Sequence, residues 1–128
     1  MKLEITTPER LLVSADVDSV QLPGKNGYLG VLPQHAPLIS ELAPGTIQYT
    51  SGGHTEKFAV SAGYAEVLPQ KVSVLAEAAE KAEEIDVPRA QAAKKRAEER
   101  MRTARDIDLE RAMWSLRRAM ARIETAGK

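Results

Sequence analysis

The stretch EEIDVPRAQ, residues 83–91, divides the chain into two parts of different character. An acidic run ends within it, a proline follows, and a basic, alanine-rich stretch begins. Asp86 is a residue type favoured at a helix N-cap, and proline is tolerated in a first helical turn, where backbone N–H groups lack partners anyway. Local preferences therefore predict the start of a helix at this point.

The charge balance changes sign at the same point, although the net charge of the 128 residues is zero. Residues 1–85 carry 6 Lys/Arg and 11 Asp/Glu, a balance of −5, and residues 86–128 carry 12 and 7, a balance of +5. Such asymmetry between two halves indicates parts with different partners.

Composition excludes several classes of protein. The chain contains no cysteine, so disulfides, thiolate metal sites and a cysteine nucleophile are absent. No apolar run has the length needed to cross a bilayer, and the N-terminus lacks a signal-peptide core. We therefore expect a soluble intracellular protein, with a peripheral place on a membrane assembly left open.

The part before residue 85 has the pattern of a β protein, because short β-rich runs alternate with turn signals such as Asn26-Gly27. Pro33 and Pro37 predict a longer loop over residues 32–38. The predicted strands are Leu3–Thr6, Arg10–Ala15, Ser19–Leu22, Tyr28–Val31, Gly45–Tyr49, Lys57–Val60, Ala65–Leu68 and Lys71–Ala76. This spacing is typical of an antiparallel sandwich or barrel.

The part after Pro88 has a helical period. Small apolar residues recur every three or four positions at Ala90, Ala93, Ala97, Met101 and Ala104. A larger stripe follows at Leu109, Met113, Leu116, Met120 and Ile123. Two antiparallel helices can bury these stripes against each other. The predicted fold is α+β: an N-terminal antiparallel β-sandwich over residues 1–84, then a C-terminal antiparallel two-helix hairpin over residues 85–128.

Two longer segments resemble the epsilon subunit of bacterial F-type ATP synthases: YLGVLPQHAPLIS, residues 28–40, and FAVSAGYAEVLPQKVSVLAEAAE, residues 58–80. The resemblance covers essentially the whole chain. It implies a non-catalytic regulatory subunit of the central stalk, peripheral on the cytoplasmic face of the cell membrane. The sandwich is expected to contact the gamma subunit and the c-ring. The helices are expected to inhibit ATP hydrolysis when they extend into the alpha/beta catalytic head.

Some members of that family bind ATP as a regulatory ligand through a motif of the type I/L-D-x-x-R-A, which IDVPRA, residues 85–90, satisfies. ATP is expected to hold the hairpin folded and non-inhibitory, with the need for Mg²⁺ left open. The implied ATP-binding residues are Glu80, Ile85, Asp86, Arg89, Ala90, Arg96, Arg118 and Arg122. Pro88 departs from the family pattern, in which an aliphatic residue is more usual there.

The arginine spacing is compatible with a phosphate site. Arg89 and Arg96 are seven residues apart and share nearly one helical face, and Arg118 and Arg122 are neighbours one turn apart. Guanidinium forks pair well with phosphate oxygens. The glycine-rich PGKNGYLG, residues 23–30, lacks the P-loop pattern. Without a base, a positioned water or a dedicated metal cage, binding without hydrolysis is expected.

The resemblance also implies contacts with partner subunits. Tyr28, Leu29, Gly30 and His35 are expected near the c-ring and gamma, although a histidine in such a loop more often only packs. In the extended state, Arg111, Trp114 and Arg117 are expected to meet the catalytic head, as are Arg118 and Arg122. The alternative for Trp114 is packing in the core.

The sequence leaves three alternatives. The first is a subunit of the same family without functional ATP binding. The second is a nucleic-acid binder that uses the basic hairpin, but acidic residues interleave with the arginines and Trp114 is the only aromatic residue there. The third is a small enzyme, which two distant histidines and the lack of any recognisable catalytic motif disfavour.

Overall fold

The structure is a computed structural model and describes residues 1–127. Its strands are β1 (Lys2–Thr6), β2 (Leu11–Asp16), β3 (Ser19–Gly24), β4 (Gly27–Val31), β5 (Leu38–Leu42), β6 (Gly45–Ser51), β7 (His54–Val60), β8 (Gly63–Leu68), β9 (Lys71–Ala76) and β10 (Ala79–Lys81). A 3₁₀ turn over Ala82–Glu84 leads to helices α1 (Val87–Thr103) and α2 (Ile107–Gly127). The expected α+β architecture is confirmed. Of the predicted hairpin, Lys128 lies outside the described residues.

The strands form one hydrogen-bonded network in the order β10-β7-β6-β3-β5-β8-β9-β1-β2, with β4 paired to β3. Neighbouring strands run antiparallel except β1 and β9, which are parallel. Strand β3 pairs with β6 at one end and with β5 only at Gly24. The sheet can therefore fold over at β3 and enclose a core.

The core comes from the period-2 alternation along the strands, which sends every second side chain inward. Leu3 and Ile5 of β1 and Val72 and Val74 of β9 are almost completely buried. They belong to one apolar cluster that also includes Leu22, Val31, Leu42, Ile47, Phe58 and Val67. Burial of this apolar area is the main stabilising term of the sandwich.

The eight predicted strands all form, but two strands were missed. Strand β5 begins immediately after Pro37, and β10 has only three residues, too few for a recognisable alternation. The loop between β3 and β4 is Lys25-Asn26, and Gly27 takes the positive φ of 130°, whereas Asn26 does not have one. Asn-Gly in a tight hairpin turn is expected to supply positive φ at both residues, and that expectation is wrong for Asn26.

The helices pack through small residues. The buried residues of α1 are Ala90 and Ala97, and those of α2 are Ala112, Ala119, Ala121 and Thr125. The predicted larger stripe of α2 is wrong in part, because Met113 and Met120 are 40% and 49% exposed. Small side chains let α2 approach both α1 and strands β6 and β7 closely, and the two methionines lie on the exposed side of α2. Within residues 1–127, neither helix is both long and apolar enough to cross a bilayer.

Candidate functional site

A cavity of about 500 Å³ lies where α1, α2 and the edge of the sheet meet. The sheet edge, strands β7 and β10 with the residues beside them, lines it with Ala59, Val60, Ser61, Ala78, Ala79 and Glu80. The helices line it with Arg89, Ala93, Arg96, Ala97 and Arg100 of α1, and with Ser115, Arg118, Ala119 and Arg122 of α2. Small apolar side chains thus form much of the wall, and five arginines and one glutamate supply the charge.

Helical geometry brings the arginines together. Arg89, Arg96 and Arg100 are spaced by seven and four residues, so they project from one face of α1. Arg118 and Arg122 are four residues apart on α2 and lie on the face that α2 turns toward the same cavity. Against Glu80 alone, the five arginines leave the lining strongly positive.

Glu80 and Arg122 form the one ion pair inside this lining among the described residues. Arg122 Nη2 donates to Glu80 Oε2 at 3.2 Å. Arg122 Nε lies 2.6 Å from Glu80 Oε1, but its proton is not aligned for a hydrogen bond. Because the side chains of Arg122 and Glu80 are 26% and 39% exposed, the pair is partly shielded from water and ties α2 to the sheet edge.

The other four arginines of the cavity have no carboxylate within 4 Å anywhere in residues 1–127. Arg118 Nη2 donates to Ser115 Oγ at 3.1 Å, a neutral acceptor on the same helix. A cleft lined by one sign of charge concentrates the opposite ion. The arrangement therefore suits a polyanion, which can pair with guanidinium groups from both helices at once.

Five of the eight predicted ATP-binding residues line the cavity: Glu80, Arg89, Arg96, Arg118 and Arg122. The other three residues have a place in the fold outside this lining. Ile85 and Ala90 are buried, and Asp86 caps α1, where its Oδ1 accepts from the backbone N–H of Arg89 at 3.1 Å.

Sequence reasoning missed three polar residues of the lining: Ser61 beside β7, and Arg100 and Ser115 on the helices. A signal for the two helical residues was present in the sequence. Arg100 follows Arg96 by four residues and so shares its helical face, and Ser115 precedes Arg118 by three. Extending the helical period beyond the family motif would have found them.

Apart from Arg118 and Arg122, the predicted partner-contact residues lie outside the cavity. On β4, Tyr28 and Gly30 are exposed, whereas Leu29 packs against the core. His35 is partly buried, and its Nδ1 lies 2.7 Å from the carbonyl oxygen of Ala36.

On α2, Arg111 is exposed, and the guanidinium carbon of Arg117 lies 5.6 Å from the ring centroid of Trp114. That distance is within the range of a cation–π contact. Trp114 is partly buried and lies outside the buried core. The contacts of these residues with other chains stay predictions.

A protein-bound metal has no ready donor set in the described part of the chain, where no three His, Asp or Glu side chains cluster as ligands.

Two family models match the chain, and together they span residues 1–127. The ATP synthase delta/epsilon chain β-sandwich domain matches residues 1–82, and the delta/epsilon chain long α-helix domain matches residues 83–127. The ATP synthase epsilon chain of Koribacter versatilis is 59% identical over 103 residues, which is 80% of this chain and 72% of that relative.

A second relative and a solved structure agree with these matches. The ATP synthase epsilon chain of Carboxydothermus hydrogenoformans is 54% identical over 101 residues, 79% of this chain and 75% of its own. A chain in the mitochondrial ATP synthase of Euglena gracilis aligns with a TM-score of 0.86 over 98% of this chain and 80% of its own. Its sequence identity of 23% makes that last likeness one of fold.

Proposed function

Since the chain belongs to the family of ATP synthase delta/epsilon chains, we propose that it is a regulatory epsilon subunit of the central stalk. In this role it is peripheral on the cytoplasmic face of a bacterial membrane and catalyses no reaction itself. The sandwich contacts the gamma subunit and the c-ring. The two helices, when they leave the sheet and extend, enter the alpha/beta catalytic head and inhibit ATP hydrolysis.

The regulatory ligand in this proposal is ATP, bound in the cavity between the helices and the sheet edge. One observation carries it: five arginines from two helices line a single cavity that holds one carboxylate. A triphosphate brings several negative charges and many acceptor oxygens, which match guanidinium donors. Ala59, Val60 and Ala79 offer an apolar wall for the base.

The division of the cavity among three elements couples binding to the position of the helices. Arg96 comes from α1, Arg118 from α2 and Glu80 from the sheet edge, so the complete site exists only while the hairpin is folded on the sandwich. A ligand that binds one state stabilises it by RT ln(1+[L]/Kd), about 2.7 kcal/mol at a hundredfold excess over Kd. High ATP therefore holds the chain in the non-inhibitory form.

Isothermal titration of ATP into the full chain, with and without Mg²⁺, tests this function. Arg96→Gln should weaken binding roughly tenfold or more, because a charge-assisted hydrogen bond is lost. Arg102→Gln is the matched control, because it removes the same charge from α1 at a residue that lies outside the cavity. Equal effects of the two substitutions on ATP affinity would contradict the assignment of the ATP site to this cavity. Absence of any binding to the native chain would favour a family member without functional ATP binding.

A further inference from the structure

A pair of threonine hydroxyls joins α2 to the sheet away from the cavity. Thr125 is only 1% exposed, and its Oγ1 lies 2.7 Å from Oγ1 of Thr46 on β6, 79 residues away in sequence. A buried hydroxyl without a partner is costly, so the two side chains satisfy each other only while α2 lies on β6.

The surroundings hold Thr46 in place. Its backbone N–H donates to the hydroxyl of Tyr28 on β4 at 3.1 Å. The preceding residue must be small, because a Cβ at Gly45 would lie 2.5 Å from Pro23 Cβ and 2.9 Å from the Tyr28 oxygen. Thr46 therefore presents its hydroxyl to α2 from a position fixed by three strands of the sandwich.

Among the described residues, two polar contacts thus hold α2 on the sheet, and they differ in their relation to the cavity. The Glu80–Arg122 pair lines the cavity, so a bound anion competes directly for Arg122. Neither Thr46 nor Thr125 lines it. The threonine contact is therefore available whether or not a ligand is bound.

We propose that the Thr46–Thr125 hydroxyl pair is a latch that sets how readily α2 leaves the sheet, independently of the anion cavity. This inference extends the proposed function, because it supplies a ligand-independent bias to the same equilibrium between docked and extended helices. When α2 leaves the sheet, both hydroxyls form hydrogen bonds with water again. The threonine pair therefore changes the equilibrium constant for docking of α2 by only a modest factor. A modest factor suits a switch whose states must remain interconvertible.

Native-state hydrogen exchange of the full chain, followed by mass spectrometry without nucleotide, tests the latch. A detached helix of this kind is marginally stable in water, so undocking exposes its amides to exchange. Thr125→Val and Thr46→Val should each speed exchange of the α2 amides roughly 2- to 12-fold, the range that one net hydrogen bond supplies. The double variant should return close to the native rate, since replacing both partners by apolar groups of similar shape is nearly neutral.

Thr103→Val is the matched control, because Thr103 is exposed at the end of α1 and should leave α2 exchange unchanged. Amides of β9 should exchange equally in all variants, which separates a latch from general loss of stability. Unchanged α2 exchange in both single variants would overturn the proposal, as would a double variant as fast as the faster single one.

Repeating the exchange with saturating ATP separates the latch from the proposed ATP function. ATP should slow α2 exchange by the same factor in the native chain and in Thr125→Val, because the two contributions are independent. A factor that differs between them would overturn that independence. If ATP has no effect on the native chain, the ATP function fails while the nucleotide-free result still decides the latch.

Discussion

Glu80 and Arg122 join the edge of the sheet to the second helix through contacts of 2.6 and 3.2 Å, although 42 residues separate them. Among residues 1–127, Glu80 is also the only carboxylate in a lining that has five arginines. The glutamate therefore offsets part of the repulsion among the guanidinium groups when no anion is bound. In that respect it acts as an internal substitute for a ligand.

Replacement of Glu80 by Gln should loosen the hairpin in the absence of nucleotide. The amide keeps the shape but leaves Arg122 without its counter-ion, and we expect a loss of about 1 kcal/mol in docking, as for a partly exposed ion pair. Hydrogen exchange of α2 measures it. Glu77→Gln is the control, because Glu77 is exposed outside the cavity. Equal exchange in the two variants would show that the pair contributes nothing to docking.

Asp86 provides a second test, in which capping and ligand contact can be separated. Its carboxylate accepts from the backbone N–H of Arg89, as an N-cap does. Asp86→Ala should therefore destabilise the hairpin by roughly 1 kcal/mol, and Asp86→Ser, which keeps a capping oxygen, should restore most of that. Hydrogen exchange of the α1 amides measures this loss of hairpin stability. ATP affinity measured by calorimetry should then be nearly native in Asp86→Ser, and a large fall there would instead indicate direct contact of the carboxylate with ATP.

The cavity shows how far sequence reasoning reaches. The spacing of Arg89 and Arg96, and of Arg118 and Arg122, fixes which arginines share a helical face, so their convergence was predictable once a hairpin was assumed. Arg100 obeys the same rule and was missed only because it lies beyond the motif.

The packing of α2 was less predictable. Hydrophobicity favoured Met113 and Met120 as buried, but Ala112, Ala119 and Thr125 occupy the interface. Close approach of two backbones selects small side chains over large apolar ones. The distance between the backbones of α2 and its neighbours is a tertiary property. The short strand β10, which positions Glu80, likewise exists because β7 pairs with it, since three residues carry no pattern of their own.

Gly63 should be the glycine of the sandwich that least tolerates alanine. Its φ is +153°, and a Cβ there would lie 2.0 Å from the carbonyl oxygen of Leu75 on β9. Strain in φ and the clash together should lower the free energy of unfolding by roughly 3 kcal/mol. Urea unfolding measures the loss. Gly30→Ala, which meets no atom within 4 Å, is the control and should change stability far less.

The buried Tyr49 should make the sandwich less stable at high pH. The side chain is 8% exposed and stacks on Phe58 at 6.4 Å between ring centroids. Burial raises the pKa of the Tyr49 hydroxyl above its ordinary value of about 10, Glu56 adds to the increase, and Lys81 opposes it. The folded chain thus keeps a proton that the unfolded chain loses.

The sign of the effect follows from that difference in bound protons. The contribution of Tyr49 is fully present below about pH 10, the pKa of the unfolded chain, and is lost as pH rises through the higher pKa of the folded state. Thermal unfolding should therefore show a steeper decline of Tm above about pH 10 for the native chain than for Tyr49→Phe, which has no proton to lose. Tyr64→Phe is the control, because Tyr64 is 57% exposed, and it should decline as the native chain does. Parallel declines for all three chains would mean that burial of Tyr49 does not govern the alkaline loss.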